Sequence, residues 1–272
     1  MSLLSRAFKI HQYCLDAPAV ALSAYVLVCR IDGRWVDWGS AVIIFLTVWL
    51  AYLGDRWMDA RRNPRAALTS PRHQVFVHEP DFWLRAWVVI LGVNVVMSTI
   101  ALSLSAWLYG LSLGLGSVVY TFWSQRLAWR GPQKELFVGI LFGWVAGGFT
   151  PWEGSLTAWT TMFAIACLCA LNCLSVSWTE RELDVQRGER SAFSHFVGGL
   201  MGPADWRIVI ALMAGGLFAA AWVSVSFALL CAVYLGGLAC MTKHERSLSR
   251  AGFSLIADWG ILAVFILAAW IS

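Results

Sequence analysis

The chain has 272 residues, of which 59% are hydrophobic and 13% are charged, and its mean hydropathy is +0.67. A soluble domain of this size is much less apolar, so the composition excludes an ordinary soluble fold and indicates a polytopic membrane protein. The net charge of +4 comes from interleaved basic and acidic residues, so no nucleic-acid partner is predicted.

Apolar stretches long enough to cross a bilayer recur along the whole chain. About 20 apolar residues span the hydrocarbon core, and such segments are helical because lipid offers no partner for backbone hydrogen bonds. The sequence predicts nine of them, at residues 15–31, 38–54, 83–104, 107–124, 136–151, 157–178, 205–221, 223–242 and 252–271. The predicted fold class is therefore an all-α membrane protein, with residues 1–272 forming a single integral membrane domain.

Basic residues are distributed unevenly over the connections between these stretches. With the amino terminus inside, all Lys and Arg residues except Arg30 and Arg34 fall on the cytoplasmic side. This distribution follows the positive-inside rule and supports both the number of spans and their orientation. We expect a protein of a bacterial inner (plasma) membrane, with the amino terminus and the long connections 55–82 and 179–204 in the cytoplasm.

Three glycines lie close together in the fourth stretch, at Gly110, Gly114 and Gly116. No strand precedes them and no Lys-Ser/Thr pair follows, so a phosphate-binding loop is not indicated. Their spacing is typical of small residues at which membrane helices pack closely.

Two pairs of carboxylates lie at the predicted cytoplasmic ends of helices. Asp55 and Asp59 are four residues apart, as are Glu180 and Asp184, so each pair projects from one face of its helix. Like charges this close repel one another unless they are protonated, paired with arginine or bound to a hard cation. Carboxylate oxygens suit Mg²⁺, so these four acids are the candidate metal ligands and catalytic residues.

Arginines accompany each acidic pair, and a guanidinium binds phosphate oxygens in a bidentate manner. The alternative is that both regions are solvated helix ends whose charges balance locally. An aromatic ring such as Tyr120, Trp123 or Trp178 can stabilise a cation-like carbon, although packing is the other explanation for each of them. The candidate substrate-binding residues are Arg56, Arg62, Arg65, Arg72, Tyr120, Arg126, Arg187 and Arg190.

The two acidic regions also resemble a known family. DRWMD at residues 55–59, followed by arginines, resembles the first aspartate-rich motif of the UbiA superfamily of intramembrane prenyltransferases, and TERELDVQRGERS at residues 179–191 resembles the second. LDAP at residues 15–18, YTFWSQR at 120–126 and GILFGW at 139–144 are further similarities. The resemblance covers about residues 8–200.

The resemblance implies a nine-helix bundle around a lipid-accessible cavity, capped by connections 55–82 and 179–204. It also implies Mg²⁺ bridging the two motifs to an isoprenoid diphosphate. Ala51 and Tyr52 occupy the positions where the family usually has Asn-Asp, and Glu180 replaces a typical Asp. One expected metal ligand is therefore missing.

The function implied is magnesium-dependent transfer of a prenyl group from an isoprenoid diphosphate donor to a hydrophobic acceptor, aromatic or lipid, within the membrane. The alternatives are a UbiA-type terpene cyclase and a non-catalytic polyprenyl-lipid binding protein with a degenerate first motif. Asp16 and Asp258 also stand out, because acids inside a membrane span usually face a cavity or a partner, unless they reach water at a helix end.

Overall fold

The structure is a computed structural model that describes residues 10–62, 64–68, 71–126, 133–149, 154–187, 193, 203–243 and 250–272. Within these ranges, the side chains of residues 65–66, 71–73, 120–126, 183–184, 186–187, 203–206 and 250–251 lie outside the description. The described ranges contain helices and connections but no β-strand. After a helical turn at residues 10–12, the helices are α1 (Asp16–Ile31), α2 (Trp38–Arg62), α3 (Pro64–Ala67), α4 (Pro71–His78), α5 (Pro80–Ala101), α6 (Leu104–Arg126), α7 (Gln133–Ala146), α8 (Leu156–Arg187), α9 (Pro203–Val223), α10 (Val225–Lys243) and α11 (Arg250–Ile271).

Each of the nine predicted spans coincides with one long helix in the described part of the chain. Five helices, α2, α5, α8, α10 and α11, are long and apolar enough to cross a membrane. Shorter apolar segments occur in α6 and α9. The prediction of an all-α fold with apolar helices long enough to cross a membrane is confirmed for the described residues, while the count of nine crossings stays a prediction.

Helices α1 and α8 lie at the centre of the bundle. Their buried side chains join those of α9, α10 and α11 in the largest core cluster, and a second cluster connects α1 to α2. Helix α5 is peripheral: its buried residue is Asn94, whereas valines such as Val88 and Val89 point outward. An apolar outer surface of this kind is what a lipid-facing helix requires.

The closest helix–helix approach that the glycines reveal is between α7 and α8. A Cβ atom added at Gly139 would lie 2.5 Å from the Ala166 carbonyl oxygen, and one at Gly143 would lie 2.6 Å from the Met162 carbonyl oxygen. Of the three glycines in α6, Gly110 has a close neighbour, since a Cβ there would lie 3.0 Å from the Phe149 ring, whereas a Cβ at Gly114 or Gly116 meets nothing within 4 Å among the described residues. Glycine spacing alone does not reveal which helix face has a neighbour.

The segment after α2 packs back onto its carboxyl-terminal end. Phe76 of α4 is 1% exposed, the Trp57 indole donates to the Pro80 carbonyl oxygen (3.0 Å), and the Trp83 indole donates to the Val75 carbonyl oxygen (3.2 Å). In the other long connection, residues 188–192 and 194–202 lie outside the described residues. The capping role of both connections stays a prediction.

The amino-terminal end of α2 is capped by Asp37. Its carboxylate accepts hydrogen bonds from the backbone amides of Gly39 (3.2 Å) and Ser40 (2.9 Å) and from the Ser40 hydroxyl (2.6 Å). Partial burial acts to raise the pKa of Asp37, but these hydrogen bonds favour the carboxylate and hold the pKa below its ordinary value. The cap satisfies amides that the first helical turn leaves without partners.

Candidate functional site

A cavity of about 1210 Å³ runs through the bundle, with walls from α1, α2, α5, α6, α7, α8 and α11. Its lining on α2 extends from Ile43 to Arg62, which is roughly 28 Å at the helical rise. Apolar residues line the first part of this length and charged residues the last part. The cavity therefore combines a long apolar chamber with a charged end.

The first acidic pair lies on the part of α2 that faces this cavity. Asp55, Arg56, Asp59 and Arg62 all line it. They do so because α2 continues past its apolar stretch as a regular helix up to Arg62, so residues three or four apart share one face. Arginines in the last turn also suit the negative end of the helix dipole.

Arg56 connects the two acidic regions. Its guanidinium interacts electrostatically with Asp55 and Asp59 on its own helix and with Glu180 on α8. Glu180 lines the same cavity. The ends of α2 and α8, which are far apart in sequence, therefore present their charged groups to one space.

Two charged residues that the sequence analysis did not select, Lys134 and Glu135, come from the first turn of α7. Both line the cavity, and Lys134 interacts electrostatically with Asp55. Glu135 is 4% exposed and accepts a hydrogen bond of 2.6 Å from the Ser177 hydroxyl on α8. The available signal was a Lys-Glu pair at the start of an apolar helix, where charges are rare unless they face a polar space.

Several predicted residues cannot be placed in this geometry. Trp178 is described, and its ring packs against Phe193 (5.4 Å between centroids) and beneath Arg181 rather than in the described cavity wall. Arg190 lies outside the described residues. The description also leaves out the side chains of seven further predicted residues, namely Arg65, Arg72, Tyr120, Trp123, Arg126, Asp184 and Arg187.

The two positions that depart from the family motif also face the cavity. Ala51 and Tyr52 both line it, one turn before Asp55. The Tyr52 ring meets Phe142 of α7 edge-on, with 6.4 Å between the ring centroids. The usual polar pair is thus replaced by a methyl group and an aromatic ring at the same wall.

A separate polar cluster lines the cavity where α1 and α11 meet. His11 Nδ1 lies 2.5 Å from Asp16 Oδ2 and 3.8 Å from Asp258 Oδ2. Asp258 Oδ1 accepts a hydrogen bond of 3.0 Å from the Asn172 amide, whose oxygen accepts one of 2.7 Å from the Tyr234 hydroxyl. We call His11, Asp16 and Asp258 the acid–histidine cluster.

A tight turn brings His11 back towards Asp16. Cys14 has a positive φ of 56°, which is uncommon outside glycine, and its amide donates to the His11 carbonyl oxygen (3.2 Å). The Leu15 amide donates to the Ile10 carbonyl oxygen (3.1 Å), which completes a Schellman-type helix end. Sequence reasoning singled out Asp16 and Asp258 but had no signal that would join them to His11.

Apolar helices surround a cavity whose charged end receives acids from two helices, and two solved structures have a fold similar to that of this chain. A structure of digeranylgeranylglyceryl phosphate synthase in membranes has a TM-score of 0.59 at 13% identity, covering 98% of this chain and 99% of the other. The apo structure of a UbiA homolog from Aeropyrum pernix K1 has a TM-score of 0.63 at 15% identity, covering 93% and 98%. No family model and no curated protein matches the sequence. The predicted resemblance to the UbiA superfamily is confirmed as a resemblance of fold.

The donor set at the charged end suits a hard divalent cation. Asp55, Asp59 and Glu180 supply carboxylate oxygens from two helices and interact with one guanidinium. Magnesium prefers oxygen ligands and typically uses a few carboxylates while keeping coordination positions for water or phosphate. Among the described residues these three carboxylates do not form a close three-ligand group by themselves, so Mg²⁺ at this end of the cavity would complete its coordination with phosphate and water.

Proposed function

We propose that this protein transfers a prenyl group from an isoprenoid diphosphate to an aromatic or lipid acceptor within the membrane, in a magnesium-dependent reaction. The observation that carries the proposal is the convergence of Asp55, Asp59, Arg56 and Glu180 at the charged end of one long, largely apolar cavity. A diphosphate with an isoprenoid chain has the matching distribution of charge and apolar surface. The similarity of fold to digeranylgeranylglyceryl phosphate synthase adds support.

The charged side chains would bind and orient the diphosphate. Mg²⁺ held by Asp55, Asp59 and Glu180 would neutralise negative charge on the departing group. Arg56 and Arg62 donate hydrogen bonds to phosphate oxygens, an electrostatic contribution typically worth a few kcal/mol for each well-placed donor. Lys134, next to Asp55, adds a third cation to the same end of the cavity.

The apolar wall would protect the reacting carbon. As the bond to the diphosphate weakens, the allylic carbon becomes cation-like and reacts readily with water. A chamber lined by residues such as Val48, Phe142 and Ile44 holds the chain and limits water access. The aromatic faces of Tyr52 and Phe142 can stabilise positive charge nearby.

A second candidate is a non-catalytic carrier of a polyprenyl lipid. The observation in its favour is that Ala51 and Tyr52 face the cavity where the family usually supplies Asn-Asp. The carboxylates of Asp55, Asp59 and Glu180 argue against this candidate. A simple lipid carrier has no need of charged groups in its cavity, and charged groups inside a membrane bundle cost folding free energy.

The test is to incubate the purified protein in lipid nanodiscs with a panel of prenyl diphosphates, Mg²⁺ and candidate aromatic and lipid acceptors, and to identify the products. A prenylated acceptor supports transfer, and a cyclised hydrocarbon or alcohol formed without acceptor supports a cyclase. Absence of diphosphate release from every donor, with a polyprenyl lipid copurifying, would support the carrier. Omission of Mg²⁺ is the matched control.

A further inference from the structure

The acid–histidine cluster is unusually polar for a membrane bundle and is not used by the diphosphate site. His11 is 2% exposed and Asp16 is 8% exposed, so both lie in a region where charge is costly. Asp258 is the member that opens furthest towards the cavity, with 22% of its side chain exposed. Such groups inside a membrane are expected to serve a ligand or a proton transfer.

A second observation at the same wall indicates a ligand. Ser254 is fully buried, its hydroxyl has no hydrogen-bond partner among the described residues, and it lines the cavity. It precedes Asp258 by four residues on α11, so the two side chains share one helix face. A buried hydroxyl without a partner costs free energy that a bound polar group would recover.

Asp258 and Ser254 together suit the hydroxyl group of a ligand. A hydroxyl of a ligand needs an acceptor for its proton and can accept a hydrogen bond on its oxygen. Asp258 is the acceptor and Ser254 is the donor. Asn172, whose amide bonds Asp258 Oδ1, leaves Oδ2 on the side of His11.

The cluster lies deeper in the bundle than the diphosphate site. Asn172 and Glu180 are eight residues apart on α8, which is about 12 Å along the helix axis. Tyr52 lies between the two regions, since it interacts electrostatically with Arg56 and also with Asp258 and Asp16. A diphosphate at the charged end would therefore have its allylic carbon on the side facing the cluster.

We infer that Asp258 and Ser254, supported by His11 and Asp16, form the acceptor subsite: they bind a phenol or alcohol group of the acceptor, and Asp258 takes its proton. This inference rests on the proposed prenyl transfer. In the reaction step, the acceptor O–H bond breaks and its electron pair forms the new bond to the allylic carbon. The proton goes to Asp258 Oδ2, and the electron pair of the broken carbon–oxygen bond leaves with the diphosphate.

His11 and Asp16 are positioning residues in this arrangement. The carboxylate oxygen Oδ1 of Asp16 accepts a hydrogen bond of 3.0 Å from the Ala17 backbone amide, which fixes the carboxylate at the start of α1. Asp16 Oδ2 in turn fixes the His11 ring beside Asp258. The titratable groups that interact with Asp258 include His11, Tyr52, Cys169, Cys173 and Tyr234. Tyr52 also interacts electrostatically with Asp16 and Arg56.

The experiment uses a probe in place of the unknown acceptor, namely a para-nitrophenol bearing an alkyl chain, and its methyl ether as the compound without a donor. Binding to the full-length protein in detergent is measured by titration, and ionisation of the bound phenol is followed by phenolate absorption as a function of pH. We expect the phenol to bind about tenfold more tightly than the ether, as lost hydrogen bonds of this kind predict. The bound phenol should ionise about one pH unit above the free phenol in the same detergent, a tenfold shift in its equilibrium, because burial and the Asp258 carboxylate both disfavour the phenolate.

Variants assign the effect to the two residues. Asp258→Asn should reduce the shift in ionisation, because it removes the carboxylate but not the burial, and Ser254→Ala should reduce the preference for phenol over ether. Ser23→Ala is the matched control, because Ser23 is a buried serine that bonds to the Val20 carbonyl oxygen of its own helix and does not line the cavity. If Asp258→Asn does not fold, Ser254→Ala decides the result.

Equal binding of phenol and ether by the wild-type protein would overturn the inference. So would an ionisation shift of unchanged size in Asp258→Asn, or binding of Zn²⁺ or Mn²⁺ at the cluster without displacement of the probe, since the three groups are close enough to ligate an ion. Because the probe assay contains no diphosphate, its outcome is separate from that of the proposed function. Diphosphate release without phenol selectivity would refute the subsite and leave prenyl transfer intact, and the reverse result would refute prenyl transfer.

Discussion

The contact between α7 and α8 gives a prediction whose magnitude follows from the structure. Replacing Gly139 with alanine places a Cβ atom 2.5 Å from the Ala166 carbonyl oxygen and 2.9 Å from the Ala170 amide nitrogen, whereas ordinary contact begins at 3.4 Å. Both neighbours are backbone atoms of α8, so no side chain can rotate to relieve the clash. To restore an ordinary contact, the two helices have to separate by about 0.9 Å, the difference between 3.4 and 2.5 Å.

Two opposing contributions set the expected stability change. Alanine is a better helix former than glycine by about 1 kcal/mol. Overpacking in a tight interface costs typically about 1–3 kcal/mol. The control is Gly236→Ala on α10, where a Cβ meets nothing within 4 Å among the described residues and only the helix-propensity gain applies. Gly139→Ala should therefore be less stable than Gly236→Ala by about 1–3 kcal/mol.

The assay is thermal unfolding of both variants in one detergent, followed by tryptophan fluorescence at a fixed scan rate. Each kcal/mol corresponds to about 2–4 °C for a domain of around this size, so the two unfolding temperatures should differ by several degrees. Gly139 is also one turn from Glu135, so the displacement should disturb the Glu135–Ser177 hydrogen bond and lower any diphosphate release. Equal unfolding temperatures for the two variants would refute the close α7–α8 packing.

Three further predictions concern the cap of α2, the α7–α8 hydrogen bond and metal binding. Asp37→Ala should lower the free energy of unfolding by about 1 kcal/mol. Because the pKa of Asp37 is lower in the folded protein, this contribution should be complete above about pH 4 and disappear as the pH falls through the folded-state pKa. The loss of stability in the variant should therefore be larger at pH 7 than at acid pH when unfolding is measured at both. Ser177→Ala removes the hydrogen-bond donor to buried Glu135 and should lower the free energy of unfolding by about 1–3 kcal/mol. Ser112 is an exposed serine that bonds within its own helix, so Ser112→Ala should change the unfolding temperature little. Similar losses of stability in the two variants would contradict the importance of the Glu135–Ser177 hydrogen bond. Mg²⁺ at about 100 times its dissociation constant should stabilise the wild-type protein by about 2.7 kcal/mol but should not stabilise Asp59→Asn, and an equal rise in unfolding temperature would place the ion elsewhere.

Much of the membrane fold was predictable because lipid restricts the choices. Hydropathy located the long helices, since a spanning segment has to be both apolar and helical. It did not locate their ends: α2 and α8 continue beyond the predicted 54 and 178 to Arg62 and Arg187. Hydropathy reports where a segment is apolar, whereas a helix continues for as long as its backbone and side chains allow.

The candidate site was predictable only in part, for a related reason. The spacing of Asp55 and Asp59 reveals a shared helix face, because that information is local. The acid–histidine cluster joins His11 near the amino terminus to Asp258 near the carboxyl terminus, and only the packing of α1 against α11 brings them together. Lys134 was counted only as a topology signal, because its approach to Asp55 is likewise a tertiary contact.

The central claim is that Asp55 and Asp59 hold the metal that activates an isoprenoid diphosphate. The most direct measurement is diphosphate release from prenyl diphosphates by the wild-type protein, Asp55→Asn and Asp59→Asn, each with Mg²⁺ and with a chelator. Asp81→Asn is the matched control, because Asp81 is an exposed acid in the first turn of α5. The account predicts Mg²⁺-dependent release by the wild-type protein and Asp81→Asn, and loss of release in the other two variants despite unchanged folding. Release at the wild-type rate by Asp55→Asn and Asp59→Asn would contradict it.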